Sequence, residues 1–375
     1  MDPVSEIELS EAIAGAEGPL GIIGGGTRPV GRAVAGETLS VAGLSGVVDY
    51  EPGALTLVAK AGTPVAEIEA VLAAEGQRLA FEPMDHRGLL GTTGEPTIGG
   101  VVAANVSGPR RIAVGAARDF LLGVRFVDGM GRVLKNGGRV MKNVTGYDLV
   151  KLMAGSRGTL GVLSEVSFKV LPRPDAEATL ILHGPEGAAA VGLMAEALGS
   201  PYDVTGAAHF PLTAGDGADT MIRVEGFAAS VAYRIERLKA LFAGRAGMNT
   251  VEGEVSANAW AGVRDVSHLH DAVGDVWRLS VKPSDGATVL ARLPEGARSC
   301  LDWGGGRIWV ACDAGHDLRA DLAGIGGHAT LVRASDATLA RLPAFHPEPP
   351  AIQRISQGLK ARFDPRGILN PGLMS

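Results

Sequence analysis

Three consecutive glycines, Gly24-Gly25-Gly26, precede Thr27 and Arg28 and follow directly on the apolar run Leu20–Ile23. Consecutive glycines permit positive φ and turn successive backbone N–H groups into one concavity, a nest suited to phosphate oxygens. Thr27 adds a hydroxyl donor, and Arg28 or Arg32 a counter-charge. An ordinary flexible loop is the competing reading of this segment. A second cluster, Thr97-Ile98-Gly99-Gly100, runs through 101–105 into Ser107-Gly108. Its small residues would let backbone approach a flat ring, with Asn105 and Ser107 at the polar edge. A tightly packed Gly/Ala helix start fits it equally well. A third cluster, Gly155-Ser156-Arg157-Gly158-Thr159-Leu160-Gly161-Val162, leads into a strand and again exposes backbone.

Several familiar motifs are missing. The dinucleotide fingerprint fails because Pro29 stands at its last glycine position, and no Gly-Lys-Ser, Gly-Lys-Thr or Gly-x-Ser-x-Gly occurs. The two cysteines, Cys300 and Cys312, are too few for an iron–sulfur cluster and read as small buried apolar residues. Any redox centre in this chain must therefore be organic. Arg278 and Lys282 share one face of an expected strand and could clamp a carboxylate, Arg bidentately. A solvated strand face or a subunit contact explains them as well. His268 and His270 fall in a stretch, 257–271, that reads as helical, which would splay the rings apart. They read as surface or structural residues, and no metal site is expected.

The elements that must position these residues are legible in part. Among 375 residues, 54 Gly and 20% charged residues fit a folded α/β chain of two domains, not a disordered or disulfide-stapled one. No eighteen-residue stretch lacks a charge, so no membrane span is expected. The acidic start, Met1-Asp2-Pro3, predicts no secretory signal and hence a cytoplasmic location. A net charge of −6 argues against nucleic acid as a partner. Strands are expected at Leu20–Ile23, 55–60, 123–127 and 162–170, with a hairpin turn at Asp128-Gly129-Met130-Gly131. Thr63 is expected to cap a helix that buries Val65, Ile68 and Leu72 and closes at Gly76. Beyond Leu171-Pro172-Arg173-Pro174, strands at 179–182, 221–225, 276–281 and 307–311 alternate with helices at 186–198, 230–242 and 317–323. That rhythm predicts helices on one face of a mostly antiparallel sheet. Four prolines between Pro343 and Pro350 mark a second boundary, and 351–363 reads as a helix returning to the first domain.

Taken together, Gly24-Gly25-Gly26-Thr27, Thr97-Ile98-Gly99-Gly100 with Asn105 and Ser107-Gly108, Gly146-Tyr147-Asp148-Leu149 and Gly158-Thr159-Leu160-Gly161-Val162 resemble, in order, the vanillyl-alcohol-oxidase or PCMH-type FAD flavoproteins. Within them the chain is similar to the family of second FAD-binding subunits of bacterial glycolate oxidase. That likeness rests on 138–148, on Trp277-Arg278-Leu279-Ser280-Val281, Asp302-Trp303-Gly304-Gly305 and Gly327-His328-Ala329-Thr330-Leu331, and on the tail Phe363-Asp364-Pro365 with Asn370-Pro371-Gly372.

The resemblance implies an α+β fold: a two-part PCMH-type FAD-binding domain over 1–172, an α/β cap domain with a mostly antiparallel sheet over 173–345, and a C-terminal segment, 346–375, packing back on the FAD domain. It implies FAD contacts at Gly24, Gly25, Gly26, Thr27, Gly31, Pro83, Thr97, Gly99, Gly100, Asn105, Ser107, Gly108, Gly161 and Val162. The pyrophosphate loop has no His and both cysteines lie far away, so the FAD is expected to be non-covalent. Implied partners are a catalytic FAD subunit and an iron–sulfur subunit of glycolate oxidase, through which the chain would at most be peripheral on the inner membrane. The implied substrate is a small 2-hydroxy acid, glycolate or D-lactate. The His cluster of catalytic relatives is missing, and Arg157 stands where they show Glu. Three roles stay open: a flavin subunit whose chemistry lies in a sister subunit, a non-catalytic flavin scaffold, and a self-sufficient 2-hydroxy-acid dehydrogenase using Arg278 and Lys282.

Overall fold

The computed structural model describes residues 1–139, 146–211 and 217–374. Part of the motif at 138–148, residues 140–145, lies outside the described residues. The chain divides into two compact units. The first takes in Met1–Ser107, Gly115–Arg173 and Pro347–Ser375; the second takes in Gly108–Val114 and Pro174–His346.

In the first unit, five antiparallel strands lie in the order Val47–Glu51, Thr56–Lys60, Val162–Lys169, Leu121–Val127 and Val133–Gly137. The central strand buries Val162, Val166 and Phe168 on one parity, as its alternation requires. The hairpin at Asp128 forms as expected: Gly131 takes φ +78° and its N–H bonds the Asp128 carbonyl at 3.0 Å. A separate parallel pair joins Leu20–Ile23 to Glu37–Ser40. The helix Val65–Ala74 buries Val65, Ile68 and Leu72, and Gly76 follows at φ +62°. Thr63 does not cap it. Its hydroxyl is drawn instead to the Lys60 carbonyl at 2.7 Å and accepts from Gly46 N–H at 3.0 Å, while Pro64 takes the cap position. The helix Pro350–Phe363 and the turns after it belong to this unit: Leu20 N–H bonds the Ile368 carbonyl at 2.7 Å, and Leu369 packs with Leu9, Ile13 and Leu20.

The second unit is an eight-stranded sheet with every pairing antiparallel. Its order is Gly247–Glu252, Ala176–His183, Asp219–Gly226, Val204–Phe210, Arg298–Asp302, Arg307–Cys312, Asp275–Val281 and Gly327–Arg333. The helix Gly187–Gly199 presents Ala190, Val191, Met194 and Ala197, and Ala228–Phe242 presents Val231, Ile235, Leu238 and Phe242. Both stripes follow the i, i+3, i+4 spacing of an apolar helix face. They pack with Leu180, Ile222, Val224, Trp277, Leu279, Leu301, Ile308, Val310 and Leu331 in one core. Alternation then fixes the other sheet face. Arg278 stands opposite Trp309 and Thr330, and Ser280 opposite Arg307 and His328, so these residues share the face turned away from that core. Toward the far strands a small second cluster of Ala208, Met221, Trp260 and Val263 lies on it.

Candidate functional site

In the first unit the three glycine clusters meet. The first leaves strand Leu20–Ile23 and is pressed against the turn at Gly94-Glu95. A β-carbon on Gly25 would lie 1.6 Å from the Glu95 carbonyl oxygen, and one on Gly94 would lie 1.7 Å from that of Gly25. A β-carbon on Gly24 would meet Thr97 Oγ1 at 2.4 Å. Only glycine admits these approaches. Gly26 and Gly31 take φ +69° and +91°. Among the described residues, the N–H groups of Gly25, Gly26 and Thr27 donate to no protein acceptor. Successive N–H groups left without acceptors form a nest for an anion.

Arg28, expected as a counter-charge, instead braces the nest. Its Nη1 donates to the Gly100 carbonyl at 2.9 Å and its Nε to His86 Nδ1 at 3.2 Å, and Thr92 Oγ1 holds the Thr27 carbonyl at 3.1 Å. Thr97 caps the helix Ile98–Ala103, accepting from Gly100 N–H at 3.3 Å. Gly99 seats that helix on Ala61, where a β-carbon would fall 2.6 Å from Ala61 Cβ. Asn105, at φ +48°, accepts from Arg118 N–H at 3.1 Å, and Ser107 Oγ accepts from Ala117 N–H at 2.9 Å. Both side chains fasten the segment 116–118. Pro83 is buried a few residues before His86.

The third cluster docks on the end of the same helix. Gly155 N–H bonds the Val102 carbonyl at 3.0 Å, and Arg157 N–H that of Ala103 at 2.7 Å. Gly161 is a packing glycine, since a β-carbon would meet Phe126 at 2.7 Å and Met153 at 2.9 Å; Val162 pairs with Val127. Asn370 closes the ring of clusters. Its Oδ1 accepts from Ile22 N–H at 2.8 Å, and its Nδ2 donates to the Arg157 carbonyl at 2.8 Å. Asp364 and Lys360 hold that tail in place: Asp364 accepts from Ile368 and Leu369 N–H, and Lys360 Nζ reaches the Thr159 carbonyl at 2.8 Å. The tail motif is plain in the sequence, but its role depends on where the chain returns.

These residues fit a dinucleotide flavin. The nest offers N–H donors for a diphosphate, and the glycines leave no side chain in its way. Bound FAD would supply a two-electron acceptor. Gly24, Gly25, Gly26, Thr27, Thr97, Gly99 and Gly100 form one assembly, whereas Gly108 goes with the second unit, its carbonyl accepting from Trp303 Nε1 at 3.0 Å.

The second unit holds a separate charged array on the sheet face away from its core. Arg110 pairs with Glu225, Arg223 Nε lies 3.4 Å from Glu225 Oε2, and Arg307 pairs with Asp302. Burial raises the Asp302 carboxyl above its ordinary range, against the pull of Arg307. Arg111 and Arg307 lie 4.5 and 4.3 Å from the Trp303 ring centre. Trp303, Gly304 and Gly305 all take positive φ, at 54°, 65° and 102°, a strained turn that fixes the indole. The guanidinium of Arg278 makes no hydrogen bond or ion pair among the described residues. Burial, then the guanidiniums of Arg307 and Arg111, push its pKa down to about 10. Lys282 does not join it. The strand ends at Val281 because Pro283 cannot continue a ladder, and Lys282 is exposed at the start of the next turn.

His268 stacks edge-on with Phe210 at 5.1 Å, and His270 Nε2 contacts the Asp265 carbonyl at 2.9 Å. Among the described residues no group of three His, Cys, Asp or Glu is placed to hold a metal, and no helix is long and apolar enough to cross a membrane. Cys300 and Cys312 are free and buried.

A family model described as an FAD binding domain matches residues 2–137. The glycolate oxidase subunit GlcE of Escherichia coli is 38% identical over 359 residues, covering 95% of this chain and 92% of that one. The glycolate oxidase subunit GlcD of Bacillus subtilis is 40% identical over 85 residues, 23% of this chain and 18% of its own. Among solved structures, an alkyldihydroxyacetonephosphate synthase superposes with a TM-score of 0.71 at 17% identity, over 99% of this chain and 76% of that one, a likeness of fold.

Proposed function

Because the chain belongs to the FAD-binding oxidoreductase family of the glycolate oxidase subunit GlcE, we propose that it is the FAD-binding subunit of a complex that oxidises glycolate to glyoxylate. The observation that carries this reading is the nest: three consecutive N–H groups without acceptors among the described residues, walled by glycines, in a chain alike to that subunit over 95% of its length. FAD binds without a covalent bond, since the loop Gly24-Gly25-Gly26-Thr27 carries neither His nor Cys. The partners are a second flavin subunit and an iron–sulfur subunit, because this chain's two buried thiols cannot carry a cluster onward. D-Lactate, one methyl larger, is the second substrate in reach; a methyl changes binding by about 1–3 kcal/mol.

The test is an anaerobic visible spectrum of the chain, alone and co-purified with both partners, before and after glycolate. Bleaching only in the complex supports the subunit reading. Bleaching by the chain alone makes it a self-sufficient dehydrogenase, and no bleaching in either sample overturns the substrate.

A further inference from the structure

We propose that the edge strand Gly247–Glu252 of the second unit is a self-pairing surface, on which two copies of this chain add to one another, antiparallel across a two-fold axis, and join their eight-stranded sheets. The proposal stands on the sheet alone and is independent of the cofactor and the substrate.

The two edges of this sheet are finished differently. Along Gly327–Arg333 the outward groups are taken up. Leu331 N–H donates to the Ala344 carbonyl at 2.8 Å, Ala329 N–H to His346 Nδ1 at 3.3 Å, and Arg319 Nη2 holds the Ala329 carbonyl at 2.9 Å. Along Gly247–Glu252 there is no such cover among the described residues: no backbone N–H or carbonyl of this strand bonds beyond its ladder to Ala176–His183. Natural sheets blunt open edges with lysine, proline or a bulge, because an unpaired ladder invites another strand. Gly247-Met248-Asn249-Thr250-Val251-Glu252 has neither lysine nor proline, and its register runs without a shift.

The alternation of the ladder shows which groups are on offer. Gly184 N–H bonds the Ala218 carbonyl at 2.8 Å, so the even residues of Ala176–His183 point their backbone groups at Asp219–Gly226. The odd residues point the other way, where Thr179, Ile181 and His183 face Val251, Asn249 and Gly247. Met248, Thr250 and Glu252 are therefore left with outward N–H and carbonyl groups. A two-fold axis at Thr250 sets these residues against their own copies, Thr250 on Thr250 and Met248 on Glu252, and closes about six hydrogen bonds at two per facing pair.

Charge selects a second copy, and the antiparallel sense. Arg245 stands in the turn before the strand and Glu254 in the first turn of the helix after it, with Thr250 about midway between them. The axis thus brings the basic turn of one copy to the acidic helix start of the other. Arg245 shares only the exposed Glu196, and Glu254 has no cation beside it among the described residues. A parallel pairing would set like charges together, which is unfavourable.

The experiment is sedimentation of the purified full chain over about 1–100 µM, a range that spans a moderate dissociation constant. A reversible monomer–dimer equilibrium is expected. Thr250→Pro removes one outward N–H and leaves the ladder to Ala176–His183 whole, so it should fold with an unchanged circular dichroism spectrum and stay monomeric. Glu254→Lys should weaken the dimer at least tenfold, and Arg245→Glu added to it should restore the dimer. A chain that is monomeric throughout the range overturns the proposal, and so does a folded Thr250→Pro variant that still dimerises. A chain that is monomeric alone but whose Thr250→Pro variant loses a partner subunit of the complex also overturns it, since the edge then belongs to that subunit. Should Thr250→Pro fail to fold, the charge reversal and its rescue decide.

Discussion

Gly25 and Glu95 touch backbone to backbone, so that a β-carbon on Gly25 would lie only 1.6 Å from the Glu95 carbonyl oxygen. Two loops that the sequence separates by seventy residues thereby form one wall of the nest. Gly25→Ala must push them apart, whereas Gly26→Ala meets open space and only the strain of φ +69°. Gly25→Ala is expected to lose FAD affinity at least tenfold. Gly26→Ala should cost about 1 kcal/mol of stability and keep the flavin. Flavin content per chain and thermal unfolding of both variants check this contrast.

Asn370 satisfies two backbone groups at once, Ile22 N–H and the Arg157 carbonyl, from a site that is 4% exposed. Asn370→Ala leaves both without their partner. A loss of about 2–4 kcal/mol is expected, since each unsatisfied buried group costs about 1–3 kcal/mol. Urea unfolding would read it, and FAD should protect the variant less than the wild type.

Glu225 is the shared anion of Arg110 and Arg223. Glu225→Ala takes the carboxylate away from two buried guanidiniums and should destabilise the protein by about 3–5 kcal/mol. Replacing a partner of an exposed pair, as in Glu196→Ala beside Arg245, should change stability by less than about 1 kcal/mol. Denaturant midpoints of the two variants distinguish buried from exposed pairing.

His209 is fully buried beside Thr220 and its pKa is pushed down to about 4 by desolvation. The unfolded chain takes up this proton near the ordinary imidazole value, so between that pH and about 4 it binds more protons than the folded one. Stability is therefore present at neutral pH and lost as pH falls through this window, by about 3 kcal/mol in full. His268, lowered to about 4 as well, acts in the same direction. His209→Asn should flatten part of the slope of unfolding free energy between pH 7 and 4.

The glycine clusters were legible because glycine is the residue that close backbone approach demands. The turn at Gly94-Glu95 was not, because its contact with Gly25 is a tertiary fact without a local pattern. The same division holds in the second unit. The strands around Leu180, Ile222 and Ile308 show apolar alternation. Val204–Phe210 and Arg298–Asp302 are short on large apolar residues and are strands only because of their neighbours in the sheet. Parity placed Arg278 on a defined face; it could not show that Lys282 falls past the strand end or that Arg111 and Arg307 are the companions of Arg278. Thr63 looked like a cap from its neighbours, yet Gly46, seventeen residues earlier, takes its hydroxyl.

The central claim, an FAD held in the nest between Gly24 and Thr27, is tested most directly by reconstituting the purified full chain with FAD and measuring its visible spectrum and bound flavin. The account predicts one FAD per chain, released intact on denaturation and largely lost in Gly25→Ala. A chain that takes up no flavin, or one whose flavin is indifferent to Gly25→Ala, would contradict it.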